Sequence, residues 1–333
     1  MRLLHVRDDH DRARPARARP RPGRRDGPAR AGREPLPVHR VRDDRRRRSR
    51  RRRDDAEPGV IPAAFDYVRP GSIEEALAAL ADPDAKALAG GHSLIPALKV
   101  RLARPSVLVD LRDLDLRGVA IDEAAVTIGA LTTYGEAARA LAGVSGVDAL
   151  REAIGSVGDL QIRNAGTIGG CIAHADPASD VAAAVLALGA RLTAQSPAGT
   201  REIAADDLFL GPFTTALAAQ ELITEITIPR GGGSAYASVE DLASGYPLAG
   251  AAVRLARAGE SDGSCRVALT GALGAPSRLP SVEALIEREG VEADLSAALS
   301  ALELATDDVA YRRHLVEVVV RRAAARAVER SAA

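Results

Sequence analysis

At 333 residues, with 46% hydrophobic and 27% charged content, the chain has the length of two ordinary domains and the make-up of a globular protein. No run of 18 or more apolar residues occurs, which excludes a membrane-spanning helix; two cysteines, Cys171 and Cys265, exclude a disulfide framework and are too few for an iron–sulfur cluster, which usually takes four thiolates. The formal net charge is zero, but residues 1–59 carry 21 of the 45 basic residues, all Arg, and 10 of the 45 acidic ones, so a basic tail precedes a remainder with the opposite excess.

That tail, residues 1–59, includes the run Arg45 to Arg53 broken only by Ser49. It has too little apolar content to offset the entropy of ordering and is expected to be disordered. One reading is a basic arm for nucleic acid, but the tail has no Lys and no aromatic residue for base stacking. No apolar stretch follows the arginines as a secretory or twin-arginine signal requires. The reading adopted is translation of GC-rich DNA from too early a start, the true protein beginning near Val60. No nucleic-acid partner is expected.

From Ile61 the sequence turns to ordered patterns. Phe65 to Val68 reads as a strand. Ser72 with Glu75 forms a capping box ahead of a helix through Ile73, Ala76, Leu77 and Leu80. Ala85 to Ala89 reads as a buried strand, followed at once by Gly90-Gly91 and a helix from Leu94 to Leu102, with Ser93 as its N-cap. Val107 to Asp110 completes a βαβ unit. His92 has no second His, Cys or carboxylate at ligand spacing, so no metal site is expected.

Residues Val119 to Ile228 mix strands (Val126–Ile128, Arg191–Ala194, Leu222–Ile228) with Ala-rich helices around Tyr134 to Leu141 and Val181 to Leu188. This alternation predicts an α+β domain on a mainly antiparallel sheet. Within it, Gln161 to Asp180 holds a second glycine motif, Gly166-Thr167-Ile168-Gly169-Gly170-Cys171, read as a tight turn whose bare amides approach a ligand. Asp176 and Pro177 are read as N-cap and first position of the helix that follows. Pro229 to Gly233 reads as a linker. Three strands, Ser234–Val239, Ala249–Arg257 and Cys265–Gly271, then precede helices from about Ser281 to Ala333. The arginines of the last helix are read as a solvated basic face.

Ala89-Gly90-Gly91-His92-Ser93, Gln161-Ile162-Arg163-Asn164, Thr167-Ile168-Gly169-Gly170, His174-Ala175-Asp176-Pro177 and Leu208-Phe209-Leu210-Gly211-Pro212 together resemble the FAD-binding medium subunit of molybdenum hydroxylases, nearest to the aerobic carbon monoxide dehydrogenase type. The resemblance spans about Ile61 to Ala333. It implies a two-lobed FAD-binding domain of the vanillyl-alcohol-oxidase-like class over residues 60–230, with lobes at about 60–115 and 116–230. A C-terminal lobe of three antiparallel strands plus helices follows at 234–333.

By the same resemblance, Ala89, Gly90, Gly91, His92, Ser93 and Leu94, with Thr167, Ile168, Gly169, Gly170 and Cys171, hold the FAD pyrophosphate and the adjoining ribityl region through backbone amides. Asp180 matches an acid that contacts FAD hydroxyls, and Ile223 an apolar residue near the cofactor. The implied partners are a small [2Fe–2S] subunit and a large molybdopterin subunit, in a dimer of heterotrimers. The implied location is the cytoplasm, or the inner face of the membrane by way of the complex. Substrate is oxidised on the large subunit, so no catalytic side chain is assigned here; this chain takes electrons from the clusters and passes them to an external acceptor. The family usually has Asn or Ser where Cys171 stands, and often Lys where Ser238 stands. A self-sufficient FAD oxidoreductase, or a scaffold that has lost its cofactor, is the alternative. The chain has no G-x-G-x-x-G and no Walker A motif.

Overall fold

The computed structural model describes residues 61–256 and 265–332. The Arg-rich segment 1–59, with the readings attached to it, lies outside the described residues. The first unit comprises β1 (Asp66–Val68), α1 (Ile73–Ala79), β2 (Lys86–Leu88), α2 (Leu94–Lys99) and β3 (Val107–Asp110). Both β1 and β2 pair with β3 in parallel, in the order β1-β3-β2. Ser72 Oγ accepts the Glu75 N–H as expected, but the Glu75 carboxylate takes the Gly71 N–H instead of that of Ser72. The strand read as buried is an edge strand in which only Leu88 is buried. Ser93 makes no side-chain cap, and α2 stops at Lys99 because Arg101 turns to φ 56°.

The middle unit contains β4 (Val119–Ile121), β5 (Ala125–Gly129), α3 (Tyr134–Ala140), α4 (Asp148–Ser156), α5 (Leu160–Ala165), α6 (Ile168–His174) and α7 (Asp180–Ala187). It continues through β6 (Arg191–Ser196), β7 (Gly199–Ala204), α8 (Ala205–Leu208), the short hairpin β8 (Phe209–Gly211) and β9 (Thr214–Thr215), and β10 (Leu222–Pro229). Its sheet is antiparallel throughout, in the order β4-β5-β10-β6-β7. The α+β reading therefore holds, with one parallel and three antiparallel sheets among the described residues, the smallest being the β8–β9 hairpin.

The last unit is a sheet of β11 (Gly233–Glu240), β12 (Pro247–Leu255), β13 (Cys265–Thr270) and the two-residue β14 (Ser277–Arg278), with α9 (Pro280–Glu289), α10 (Ser296–Ser300) and α11 (Val309–Ser331). Four strands stand where three were expected; β14 is too short to show a period in sequence. Side chains alternate across a strand, and the two faces of this sheet enter different cores. Tyr236, Ala252 and Ala268 pack with α4 and α7, whereas Ala235, Ala251, Val253, Val267 and Leu269 pack with α9 to α11. All eight residues of α7 are buried, as a helix apolar nearly all round requires. Its alanines let it lie against the sheet.

Apart from Arg322, which is exposed, the arginines of α11 bond to the protein and do not form a solvated face. Arg312 donates to Leu248 O and Arg313 to Leu299 O, while Arg321 pairs with Glu317. Arg326 and Arg330 donate to the carbonyls of Tyr236 and Ser234 and both reach Glu152 of α4. Glu152 also accepts the Tyr236 N–H. A helical wheel shows only which face is polar; it cannot show that the polar face meets strand carbonyls.

Arg266 of β13 fastens the units in a second place. Its guanidinium donates to Leu186 O at the end of α7 and to both Asp206 oxygens, at 2.7 and 2.8 Å. Arg266→Leu should lower unfolding stability by about 2 kcal/mol, because it removes the charge-assisted bonds to Asp206 and one of those on Leu186 O, which keeps the Gly189 N–H, while Arg278 still pairs with Asp206. Denaturant melts of the two proteins check this; unchanged stability would mean the clamp is dispensable.

Candidate functional site

The two glycine motifs, far apart in sequence, touch in the fold. A Cβ at Gly90 would lie 2.2 Å from Ala165 O and 2.7 Å from Gly166 Cα, so the first motif rests on the backbone that leads into the second. A Cβ at Gly170 would lie 3.4 Å from the Ala89 Cβ. At Gly91 the reason for glycine is different: its φ of 77° is in the left-handed region that side chains rarely adopt. The backbone N–H groups of Gly90, Gly91, His92, Ser93 and Leu94 donate to no protein acceptor among the described residues. Five successive amides without a protein acceptor, around a left-handed glycine, are donors of the kind that bind an anion.

The second motif is built otherwise than its sequence implies. It is not a turn before a helix but the first turn of a helix, α6, capped by Thr167, whose side chain accepts the Gly170 N–H. The Ile168 amide donates to Thr132 O, that of Gly169 to Ala130 O and that of Cys171 to Thr167 O. These amides are bonded within the protein, whereas that of Thr167 has no protein acceptor among the described residues. Gly169 is glycine because a Cβ would fall 2.5 Å from the Ala130 Cβ. The motif is close-packed against β5 and the first motif, whose amides from Gly90 to Leu94 have no protein acceptor among the described residues.

Several devices hold the second motif. Thr133 and Glu136 form a reciprocal capping box at α3, a signature legible in the sequence but not read there. The Tyr134 N–H donates to Gly166 O, which ties α3 to the lead-in of the second motif. Ile223, 7% exposed, lies in the core of the middle unit beside a bulge in β10. The next residue, Thr224, accepts the Ala130 N–H, and Ala130 O in turn accepts that of Gly169.

Asp176 does not cap α7. Its side chain accepts the Ala178 N–H in a local turn, and Ser179 is the N-cap, bonding to the Ala182 amide. Asp180 follows, buried, and accepts a hydrogen bond from the Tyr236 hydroxyl. Burial pushes its carboxyl up to about 7, against the opposing effect of that bond. Cys171 Sγ lies 2.9 Å from Ser179 Oγ, and burial raises its thiol, so it stays a neutral polar side chain and not a thiolate. His92 and Ser93 are exposed at the rim. Sequence reasoning passed over Tyr236, since a tyrosine in a strand gives no sign of which acid it will meet.

A cleft of about 710 Å³ between α4, β11 and α11 includes Glu152, Ser238, Arg322 and Arg326 in its lining and none of the glycine-motif residues. Among the described residues there is no cluster of His, Cys, Asp and Glu able to hold a metal ion, and no helix long and apolar enough to cross a membrane.

Residues 63–231 match the family described as the FAD binding domain in molybdopterin dehydrogenase. The carbon monoxide dehydrogenase medium chain of Hydrogenophaga pseudoflava is 35% identical over 280 residues, which cover 79% of this chain and 97% of that one. The nicotine 6-hydroxylase medium subunit of Paenarthrobacter nicotinovorans is 36% identical over 272 residues, covering 78% of this chain and 95% of the subunit. Among solved structures, carbon monoxide dehydrogenase from Hydrogenophaga pseudoflava superimposes with a TM-score of 0.74 at 36% identity, covering 81% of this chain and 99% of the matched one. Quinoline 2-oxidoreductase from Pseudomonas putida 86 gives 0.73 at 28% identity, covering 80% and 98%. With an amide-lined glycine loop set on a second glycine motif, and with these likenesses along nearly the whole length of its relatives, the chain belongs to the FAD-binding medium subunits of the molybdenum hydroxylases.

Proposed function

We propose that this oxidoreductase subunit is the electron outlet of its complex, taking electrons from the [2Fe–2S] clusters of a small partner and passing them to an external acceptor. The observation that carries this reading is the Gly90 to Leu94 loop, whose amides face no protein acceptor and whose glycine is packed against the second motif. These residues fit the pyrophosphate of FAD: the amides donate, Gly91 supplies the left-handed turn, and Gly90 lets the loop sit down on Ala165 and Gly166. Thr167 to Cys171 shape the floor, and Asp180 accepts from cofactor hydroxyls. Bound FAD supplies redox chemistry that accepts electrons singly and releases them in pairs. The chain's own residues bind, orient and shield it. A large molybdopterin partner sets the substrate.

Affinity purification of the chain from its native host, with an absorbance spectrum and mass spectrometry of what accompanies it, tests the proposal. A flavin spectrum together with a [2Fe–2S] protein and a large molybdopterin protein is the expected result. A solitary yellow protein would replace this reading with a self-sufficient flavoenzyme, and a colourless one with a scaffold.

A further inference from the structure

An ionised carboxylate has about four lone-pair positions lying in its own plane, so the direction in which Asp180 presents them is set by how its neighbours orient the group. Tyr236 is the neighbour that does so. It stands on β11, in the C-terminal sheet, 2% exposed, and its hydroxyl donates to Asp180 Oδ1 at 2.5 Å. Space for that hydroxyl is made on the adjacent strand. A Cβ at Gly250 of β12 would lie 2.0 Å from the Tyr236 hydroxyl oxygen, and Gly250 is not among the residues of positive φ. Glycine is therefore required there by the room it leaves and not by its backbone conformation.

We infer that Tyr236 is a positioning residue for the cofactor: seated in the notch at Gly250, it fixes the Asp180 carboxylate so that its remaining acceptor positions serve the FAD hydroxyls. This rests on the reading of Asp180 as a cofactor contact. It makes the C-terminal sheet part of the binding site, although none of its residues belongs to either glycine motif. The other titratable groups acting on Asp180 are Asp176 in the preceding turn, Glu240 on β11, Tyr246 after it, Tyr134 on α3 and Cys171 on α6. Asp176 and Glu240 both disfavour the anion, which leaves the Tyr236 hydroxyl as the side-chain bond that favours it.

Tyr236→Phe keeps the ring and removes only the donor. FAD dissociation constants across pH, and titration of the Asp180 carboxyl in the apoprotein by carbon NMR, are the measurements. The variant should bind FAD about tenfold more weakly, and both its acid midpoint for FAD retention and its Asp180 titration should move up by about one pH unit. In an Asp180→Asn background the same change should have no further effect on FAD binding. A Tyr236→Phe protein whose two midpoints equal those of the wild type overturns the inference, whatever its melting temperature, because a packing role alone would not move them. Wild-type FAD affinity in Asp180→Asn would instead remove the reading of Asp180 on which the inference rests, and the carbon titration tells the two failures apart.

Discussion

Gly90→Val should purify without visible flavin absorbance. The reason differs from the one glycine motifs usually invite. Gly90 has no left-handed φ to protect; what it protects is contact, since its Cβ would meet Ala165 O, Gly166 Cα and Ala165 C at 2.2, 2.7 and 2.9 Å. All three are backbone atoms, which cannot swing aside as the end of a side chain can. The loop must lift off its floor, carrying the five donor amides with it. Overpacking typically costs about 1–3 kcal/mol where side chains can adjust, and here the strain falls on the loop that binds, so flavin content should drop to roughly a tenth or less. Gly91→Ala is the contrasting variant: its Cβ meets chiefly the flexible Ile95 Cδ1, at 2.7 Å, and the left-handed φ adds about 1 kcal/mol, so partial retention is expected. Flavin-to-protein absorbance ratios of the two proteins give the comparison. Full flavin in Gly90→Val would show that the motifs need not touch for the cofactor to bind.

Asp180→Asn should make the apoprotein more stable at pH 8 than at pH 4, relative to the wild type, by about 4 kcal/mol. This follows from a folded pKa of about 7 against an ordinary aspartate value of 3.8. A carboxyl raised on folding contributes its full stability below the unfolded pKa, where it is buried as the neutral acid. That contribution is lost as pH rises from about 4 to about 7 and the buried group ionises. Asparagine stays neutral throughout, so the difference between the two proteins should open across that window and flatten above it. Denaturant unfolding at several pH values reads it directly; a pH-independent difference would mean that Asp180 titrates normally. An acid kept where it costs stability at neutral pH is expected of a residue that serves a ligand.

The sequence reveals most where local chemistry decides the structure. The βαβ unit, strands β5, β6 and β10 of the middle sheet and the strands after Gly233 follow from period and turn residues, and they stand close to where they were expected, whereas β7 was not anticipated. It misleads where a residue's reason lies across the fold. Asp176-Pro177 has every local mark of a helix start, but Ser179 takes the cap, and Asp176 closes a turn before it. Gly169 and Gly170 look like a flexible turn, but they lie in a helix whose amides answer to Ala130, Thr132 and Thr167, residues brought up by β5 and the cap. The arginines of α11 look solvated because the carbonyls they meet lie on a strand some 90 positions earlier. At the candidate site, the contact between the two glycine motifs is consistent with their being singled out in the sequence. Tyr236 and Gly250 were not legible there, because a space-making glycine in a strand is indistinguishable from any other until its neighbour is known.

β11 forms the outer edge of its sheet, paired on one side with β12 alone. Such an edge offers a row of unpaired amides and carbonyls to any strand of a second molecule. Here Glu152 occupies the Tyr236 N–H, and Arg326 and Arg330 occupy the carbonyls of Tyr236 and Ser234. The side chains of α4 and α11 thus stand where an intruding strand would have to bond, and they carry charge that it could not match. The same contacts that hold the last helix in place also block this edge against sheet-to-sheet aggregation.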